Sequence, residues 1–247
     1  MAEGVGMDSG TTELRDALDA LDAAPGQETY ERACRAADAF VDANLGRPGA
    51  RRVTAEFVEH GPTLLARFSD WALLVVVAFH EAGHAVASWA LGQRPTGATI
   101  IPAEQGDHVI LGSVLGGPVP IGFGRDDPEA SARVAAMIAL AGDIAEQPFA
   151  STTAPGARAR RWFAKRDAFT PGRGAGTDSD VYSIAAYEQG GVGNMEPWLA
   201  FWHGETVELL QRHAGKVEAV ALALLRHREL GEEDLADLLG PMPGRER

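Results

Sequence analysis

The feature that most constrains the fold is a run of nine apolar residues, 71–79, that leads directly into a histidine motif at residues 80–84. A membrane-spanning helix needs about 20 apolar residues, so this run is too short for a span and predicts a buried helix. We expect that helix to extend from Trp71 to Leu91 and to stop at Gly92, because glycine commonly follows the last helical turn. The motif, His-Glu-Ala-Gly-His, therefore lies on a helix that faces a core.

Two histidines one turn apart on such a helix predict a metal site. His80 and His84 project from the same helix face, so both imidazoles can reach one zinc ion at about 2.0–2.1 Å. Glu81 lies about 100° further around the helix, which places its carboxylate beside the metal without making it a ligand. Zinc lowers the pKa of a bound water to about 7, and Glu81 can accept a proton from that water.

The alternative for this motif is a pair of ordinary surface histidines with an adjacent carboxylate. A chance His-Glu-x-x-His is expected in on the order of one in a hundred chains of this length. The apolar run before the motif argues against that alternative, because polar side chains on a buried helix need partners. A metal ion supplies them.

The chain as a whole is predicted to be mainly α, of the α+β kind, with one small β-sheet. Short segments rich in β-branched residues predict strands at 98–101 and 108–115, which we place beside the metal helix. Capping and helix-breaking residues predict further helices at 11–23, 28–45, 53–68, 127–147 and 177–189, and two or three more between 196 and 239. The last of these form a C-terminal helical bundle. Pro148 is expected to end the 127–147 helix.

Charge and cysteine content exclude several classes of protein. The formal net charge is −13, and so acidic a surface repels phosphate backbones, which excludes nucleic acid as a general partner. Cys34 is the single cysteine and cannot form an internal disulfide, so nothing indicates an oxidising compartment. Residues 1–12 lack the basic and apolar regions of a signal peptide. We therefore expect a cytoplasmic protein with no membrane span.

Several segments together resemble the peptidase domain of FtsH-type zinc proteases. The most specific similarity is in the metal helix, at residues 79–86. Residues 98–102 and 111–114 are similar to the family's strand region, and residues 138–146 to its next helix, in which small residues precede an Ala-Glu pair. Residues 176–181 resemble the segment that brings the third zinc ligand, an aspartate at a helix start.

This resemblance implies a helical zincin-type peptidase domain that binds one Zn²⁺ ion. It implies that His80, His84 and Asp180 are the zinc ligands and that Glu81 is the general base. Three protein ligands leave one coordination position open, which favours a catalytic over a structural zinc site.

The third ligand has two rivals. Asp178 lies close to Asp180, and either aspartate can instead cap the helix expected at 177–189. Glu146 is a rival because other zinc peptidases take a glutamate ligand from the helix that follows the motif. For Glu146 we prefer a different role, in which its carboxylate orients one of the two histidines.

The predicted organisation places a peptidase domain after a helical extension. Residues 1–10 and 241–247 are expected to be disordered, residues 11–50 to form the N-terminal helical extension, and residues 51–240 to form the FtsH-like metallopeptidase domain. Residues 148–176 form a flexible insertion loop within it, since loops of this length are uncommon in compact domains.

The function predicted from these features is zinc-dependent, ATP-independent hydrolysis of peptide bonds. The sequence contains no Gly-x-x-x-x-Gly-Lys-Ser/Thr motif for nucleotide binding, so we expect cleavage of accessible or already unfolded protein segments. Two alternatives remain open: a zinc-stabilised binding or regulatory module, and a hydrolase of non-peptide amides. A homo-oligomer and a separate regulatory partner also remain open.

Two more features bear on substrate binding. The strand at 108–115 either offers an edge to an extended peptide or is a plain core strand, and His108 within it is a candidate oxyanion ligand. A basic-aromatic cluster between Arg158 and Arg166, around Trp162 and Phe163, has three possible roles: it recruits an acidic partner, forms a lid over the cleft, or is a solvated loop.

Overall fold

A computed structural model describes residues 9–45, 55–105, 108–116, 128–150 and 196–243. Several predictions lie outside these residues. Among them are the loop beyond residue 150, the basic-aromatic cluster, the helix expected at 177–189 and both candidate aspartate ligands, Asp178 and Asp180.

Helices make up most of the described residues, which confirms the prediction of a mainly α protein. In chain order they are α1 (Ser9–Ala23), α2 (Gln27–Leu45), α3 (Ala55–Ala90), α4 (Pro128–Ala150), α5 (196–212), α6 (Ala214–His227) and α7 (Glu232–Leu239).

The described residues also contain five short strands: β1 (Gly97–Thr99), β2 (Ala103–Gln105), β3 (His108–Ile110), β4 (Ser113–Leu115) and β5 (Glu229–Gly231). In the three-stranded sheet β1 lies between β4 and β5, and β2 pairs with β3 in a second, two-stranded sheet. Both pairings of β1, and that of β2 with β3, are antiparallel. The small sheet predicted from the sequence is thus present, whereas β2 and β5 were not predicted.

Strand β1 leads along the chain into β2, and β3 leads into β4; we call these four strands and their short connections the ribbon. Residues 100–102 connect β1 to β2 and residues 111–112 connect β3 to β4, so the registers of the two antiparallel pairs differ by one residue. The single strand predicted at 108–115 is wrong, because residues 111–112 divide it into β3 and β4, which belong to different sheets.

The chain forms two compact units. The N-terminal unit contains α1, α2, α3 up to Leu73 and the end of α4 from Phe149. The C-terminal unit contains α3 from Leu74, the strands, α4 up to Pro148 and α5 to α7. The domain boundary predicted between residues 50 and 51 lies outside the described residues.

A charged cluster ties α1 to α3 within the N-terminal unit. Arg67 pairs with Asp19 at 2.8 Å and also with Asp22, and Trp71 Nε1 donates to Asp22 Oδ1 at 2.6 Å. Burial opposes ionisation of Asp22, but the hydrogen bonds from Arg67 and Trp71 and the Arg67 charge outweigh it. The pKa of Asp22 is therefore lowered below the ordinary value of an aspartate.

Helix α3 corrects the prediction of two separate helices at 53–68 and 71–91. It is a single helix of 36 residues, and it includes Pro62 without ending there. The expected break at Ser69-Asp70 is absent because the buried face continues across it: Phe68, Ala72 and Val75 are all buried. Ser and Asp favour helix starts, but on the open side of a helix whose other face is buried they do not interrupt it.

Helix α4 also extends past its predicted end. Pro148 lies inside the helix, which continues to Ala150. A proline removes one hydrogen bond and crowds the preceding turn, but two residues from a helix end little remains to be disrupted. In the C-terminal third, three helices lie within the predicted range.

One stretch of α3, Glu59–Ala90, is long and apolar enough to cross a membrane by length and composition alone. Nearly half of its most apolar part is buried inside the protein, and the core helix of a soluble protein meets the same criterion. The stretch is weak evidence, and the described residues contain no clear membrane span.

Candidate metal centre

The site begins with a close approach of α3 to α4 at Gly83, the small residue between the two histidines. A Cβ atom at this position would lie 2.3 Å from the carbonyl oxygen of Ala141 and 2.7 Å from Cβ of Ala145. Only glycine fits against the backbone of α4 there. The two helices meet through small residues, which brings the polar face of α3 against α4.

The histidines are oriented by acceptors on α4. His80 Nδ1 lies 3.0 Å from Oε2 of Glu146, and His84 Nδ1 lies 2.7 Å from the carbonyl oxygen of Ile138. A carboxylate and a carbonyl can only accept, so in each ring Nδ1 carries the hydrogen. Each neutral ring therefore presents an unprotonated Nε2.

These two Nε2 atoms face each other at 2.9 Å. Two imidazole lone pairs at that distance repel unless a cation lies between them, either a proton or a metal ion. In a tetrahedral zinc site, bonds of about 2.0–2.1 Å place two nitrogens about 3.3 Å apart. A shift of a few tenths of an ångström thus converts the present arrangement into one that can hold zinc.

Gly142 leaves open the space in front of both nitrogens. A Cβ atom at this position would lie 2.5 Å from His84 Nε2 and 2.6 Å from His80 Nε2, so any larger residue would fill the place where a metal would bind. His84 is buried, and the His80 side chain is 19% exposed. The donor set and this cradle both fit a metal ion.

Glu81 is positioned beside the histidines by the polypeptide of the ribbon. Its side chain is buried, and a Cβ at Gly112 would lie 2.7 Å from its Oε1 and 2.9 Å from the carbonyl oxygen of Thr99. Gly112 thus fits between Glu81 and β1. This contact places the connection between β3 and β4 next to the glutamate of the motif.

A second group of possible ligands lies on the other side of the His80 ring. His80, Asp143 and Glu146 bring donor atoms within 4.8 Å of one another, and Asp143 Oδ1 is 3.9 Å from His80 Nδ1. This group could hold a metal, although nothing in it selects zinc. A metal bound by this group would replace the hydrogen on His80 Nδ1. A neutral imidazole has one nitrogen lone pair available for a metal, so His80 can bind a metal either in this group or together with His84, but not in both.

The structure brings together four of the residues singled out from the sequence: His80, Glu81, His84 and Glu146. Glu146 occupies the position expected of a group that orients a histidine, and also a position from which it could bind a metal itself. His108 lies in β3, and its oxyanion role stays a prediction.

Sequence reasoning missed three contributors to the site: Asp143, Gly142 and the carbonyl group of Ile138. For Asp143 the signal was its three-residue spacing from Glu146, which puts both carboxylates on one side of a helix. For Gly142 and the carbonyl group of Ile138 the sequence contains no such signal. A carbonyl group or a missing side chain acquires a role only when the helices pack against each other.

Comparison with known proteins does not extend the resemblance. No protein-family model matches this chain, and no curated protein matches it significantly.

Proposed function

We propose that the chain is a zinc-dependent endopeptidase that needs no ATP and cuts accessible or unfolded protein segments. The observation that carries the proposal is the pair of Nε2 atoms, which face each other at 2.9 Å with both Nδ1 atoms occupied by acceptors. Such a pair is built for a cation. The adjacent buried carboxylate of Glu81 supplies the acid–base group that hydrolysis requires.

His80 and His84 would hold the metal, and Asp180 is proposed as the third ligand. Bound zinc supplies a Lewis acid and lowers the pKa of water. Glu81 accepts the proton of the attacking water and returns it to the leaving amine. The Glu81 carboxylate is buried, and its contact with Gly112 holds it next to the ribbon.

The ribbon offers a binding edge for the substrate. Among the described strands β4 lies at the edge of its sheet, with β1 on one side. An extended peptide can add to such an edge through main-chain hydrogen bonds, and these bonds do not depend on the side chains of the peptide. We propose the zincin-type fold together with the peptidase activity.

A Glu81→Gln variant tests the acid–base role. Glutamine has nearly the same size but cannot take the proton, so we expect cleavage of casein to fall by a factor of roughly 10²–10⁴. Zinc per chain, measured by mass spectrometry of the metal, should stay unchanged. Cleavage at the wild-type rate by this variant would remove Glu81 from the mechanism.

Two variants decide which side of His80 holds the metal. His84→Ala removes one ligand of the Nε2 pair but none of the group on Nδ1, whereas Asp143→Ala does the reverse. We expect His84→Ala to lose zinc and Asp143→Ala to retain it. Asp180→Ala should lose zinc as well, with Asp178→Ala as its matched control. The opposite pattern for His84 and Asp143 would assign the metal to Nδ1.

A stable wild-type protein that binds one zinc ion but cleaves neither casein nor a broad peptide library would favour the binding or regulatory module. A wild-type protein that refuses added zinc at neutral pH would overturn the metal site itself.

A further inference from the structure

The imidazole of His80 lies between two groups of possible metal ligands. On its Nε2 side is Nε2 of His84, at 2.9 Å. On its Nδ1 side are two carboxylates of α4, with Oε2 of Glu146 at 3.0 Å and Oδ1 of Asp143 at 3.9 Å. The donor atoms of His80, Asp143 and Glu146 all lie within 4.8 Å of one another. Both groups therefore depend on the same ring.

The group on Nδ1 differs in chemistry from the pair of histidines. It offers an imidazole nitrogen and two carboxylates, whose negative charges together balance a divalent cation. Carboxylates and water suit Mn²⁺, whereas imidazoles suit zinc. The side chain of Asp143 is 53% exposed and that of Glu146 is 26% exposed, so water can complete the coordination of an ion bound at this position.

The hydrogen of the neutral His80 ring decides which group can bind a metal. With this hydrogen on Nδ1, the ring donates to Glu146, and the lone pair on Nε2 is available for zinc. With the hydrogen on Nε2, the ring donates to Nε2 of His84. That nitrogen can accept, because the hydrogen of His84 is on Nδ1 and is donated to Ile138.

The second tautomer of His80 fits the present geometry without adjustment. The separation of 2.9 Å between the two Nε2 atoms is an ordinary hydrogen-bond length, whereas zinc between them needs about 3.3 Å. In this tautomer the lone pair on Nδ1 faces the carboxylates of Asp143 and Glu146, and negative groups around a lone pair repel it unless a cation lies between them. This side of the ring is thus also suited to a metal ion.

We propose that His80 Nδ1, Asp143 and Glu146 bind an oxygen-preferring divalent cation of the Mn²⁺ kind, and that this cation excludes zinc from the pair of histidines. The cation takes the place of the hydrogen on Nδ1, and the hydrogen moves to Nε2, where zinc would otherwise bind. The two ions compete through one imidazole although they occupy different positions. The competition rests on the proposed zinc site, whereas the cation site does not depend on the peptidase function.

Electron paramagnetic resonance tests the cation site directly. The signal of aqueous Mn²⁺ decreases as the ion binds, so a titration of the metal-free protein gives the Kd. We expect His84→Ala to bind Mn²⁺ as tightly as wild type, because His84 is no ligand of this ion. Asp143→Asn should bind it at least about tenfold more weakly, since even the loss of an outer partner of a metal ligand costs about 10–100-fold.

Glu129→Gln is the matched control, because Glu129 is an exposed carboxylate in the first turn of the same helix. It should leave the Kd for Mn²⁺ unchanged, and circular dichroism of each metal-free variant confirms that it is folded. Two results overturn the cation site: wild-type protein that binds no Mn²⁺, and Asp143→Asn that binds it as tightly as wild type. Loss of Mn²⁺ from His84→Ala would place the ion between the two Nε2 atoms instead.

Competition with a zinc-selective chelator then measures the exclusion of one ion by the other. For ions that exclude each other, Mn²⁺ at about nine times its own Kd should raise the Kd for zinc about tenfold. In Asp143→Asn the same concentration of Mn²⁺ should raise it by no more than about twofold, because this variant binds Mn²⁺ at least about tenfold more weakly. A Kd for zinc that does not respond to bound Mn²⁺ in wild type would show that both ions bind together, and would overturn the exclusion.

The outcomes separate this inference from the function on which its regulatory part rests. If wild-type protein binds zinc but cleaves no peptide, the proposed function fails, while both metal measurements still decide the cation site and the exclusion. If wild-type protein binds no zinc, the exclusion fails together with the zinc site, and the titration with Mn²⁺ still decides the cation site.

Discussion

The two halves of α3 are held in contrasting ways. In the N-terminal unit the helix packs through large side chains such as Leu65 and Phe68, and its open side is tied to α1 by Arg67. In the C-terminal unit, the stretch around the motif packs through Gly83 and alanines that allow α4 to approach within contact of its backbone. The N-terminal half of α3 packs through large apolar side chains, whereas the C-terminal half packs closely around the polar side chains of the motif.

This difference shows where the chain tolerates change. A core of large side chains can rearrange when one of them is altered, and an exposed ion pair contributes little. A contact between two backbones cannot rearrange, because the helices themselves would have to move apart. The geometry of the two histidines therefore depends on small residues of the helix contact as well as on the acceptors of their Nδ1 atoms.

The largest effect is expected from Gly142→Ala. The added methyl group would occupy the space in front of both Nε2 atoms, so we expect zinc per chain to fall to near zero. The unfolding midpoint of the metal-free protein should change far less. Gly204→Ala is the control, because a Cβ there meets nothing within 4 Å. Full zinc content in Gly142→Ala would show that the metal lies elsewhere.

Gly83→Ala should show the rigidity of the helix contact. A Cβ 2.3 Å from a carbonyl oxygen forces α3 and α4 apart, and overpacking of this kind costs about 1–3 kcal/mol in the free energy of unfolding. Gly204→Ala, on an open helix face, should instead stabilise by about 0.5–1 kcal/mol. Urea denaturation measures both. Equal values for the two variants would contradict the contrast between the halves of α3.

Glu146→Gln addresses the orientation of His80. The amide oxygen can still accept the Nδ1 hydrogen but carries no charge, and loss of such a partner typically weakens metal binding 10–100-fold. Competition with a zinc chelator measures this affinity. The stability of the metal-free variant should match that of wild type, which separates an effect on the histidine from general damage to the helix contact.

The smallest effect is expected in the N-terminal unit, from Asp22→Asn. Because the folded state lowers the pKa of Asp22, ionised Asp22 stabilises the protein at neutral pH, and this contribution disappears as the pH falls from about 3.8 through the folded pKa. The carboxylate is 48% exposed, so the loss at pH 7 should stay below about 1 kcal/mol.

Urea melts of wild type and Asp22→Asn at pH 7 and pH 3 measure that difference, which should shrink at the lower pH. Asp16→Asn on the same helix is the control. A difference that is larger at pH 3 would reverse the assigned sign.

The sequence predicted the parts of the molecule that depend on residue type. The helices predicted at 11–23 and 28–45 correspond to α1 and α2, and the four-residue spacing of His80 and His84 predicted the shared helix face on which their Nε2 atoms meet. The break expected at Ser69-Asp70 was wrong because capping propensity is local, whereas the buried face that carries α3 through this point depends on the packed unit.

The parts of the site that were not predicted also depend on how the helices and strands pack. The acceptor for His84 is the carbonyl group of Ile138, and every residue has a carbonyl group. Gly112 becomes informative only when the fold brings it against Glu81. Backbone groups and close approaches are properties of the packing, and a single sequence does not encode them as a pattern.

The pairing of β1 with β5 has a consequence for biosynthesis. Thr99 and Arg228 are joined by a hydrogen bond of 3.3 Å although they lie 129 positions apart, and contacts between such distant segments form slowly because a long loop must close first. Strand β5 can dock on β1 only after all the residues between Thr99 and Arg228 have been synthesised. The three-stranded sheet therefore cannot be completed before the helices that lie between these strands in the chain have been made.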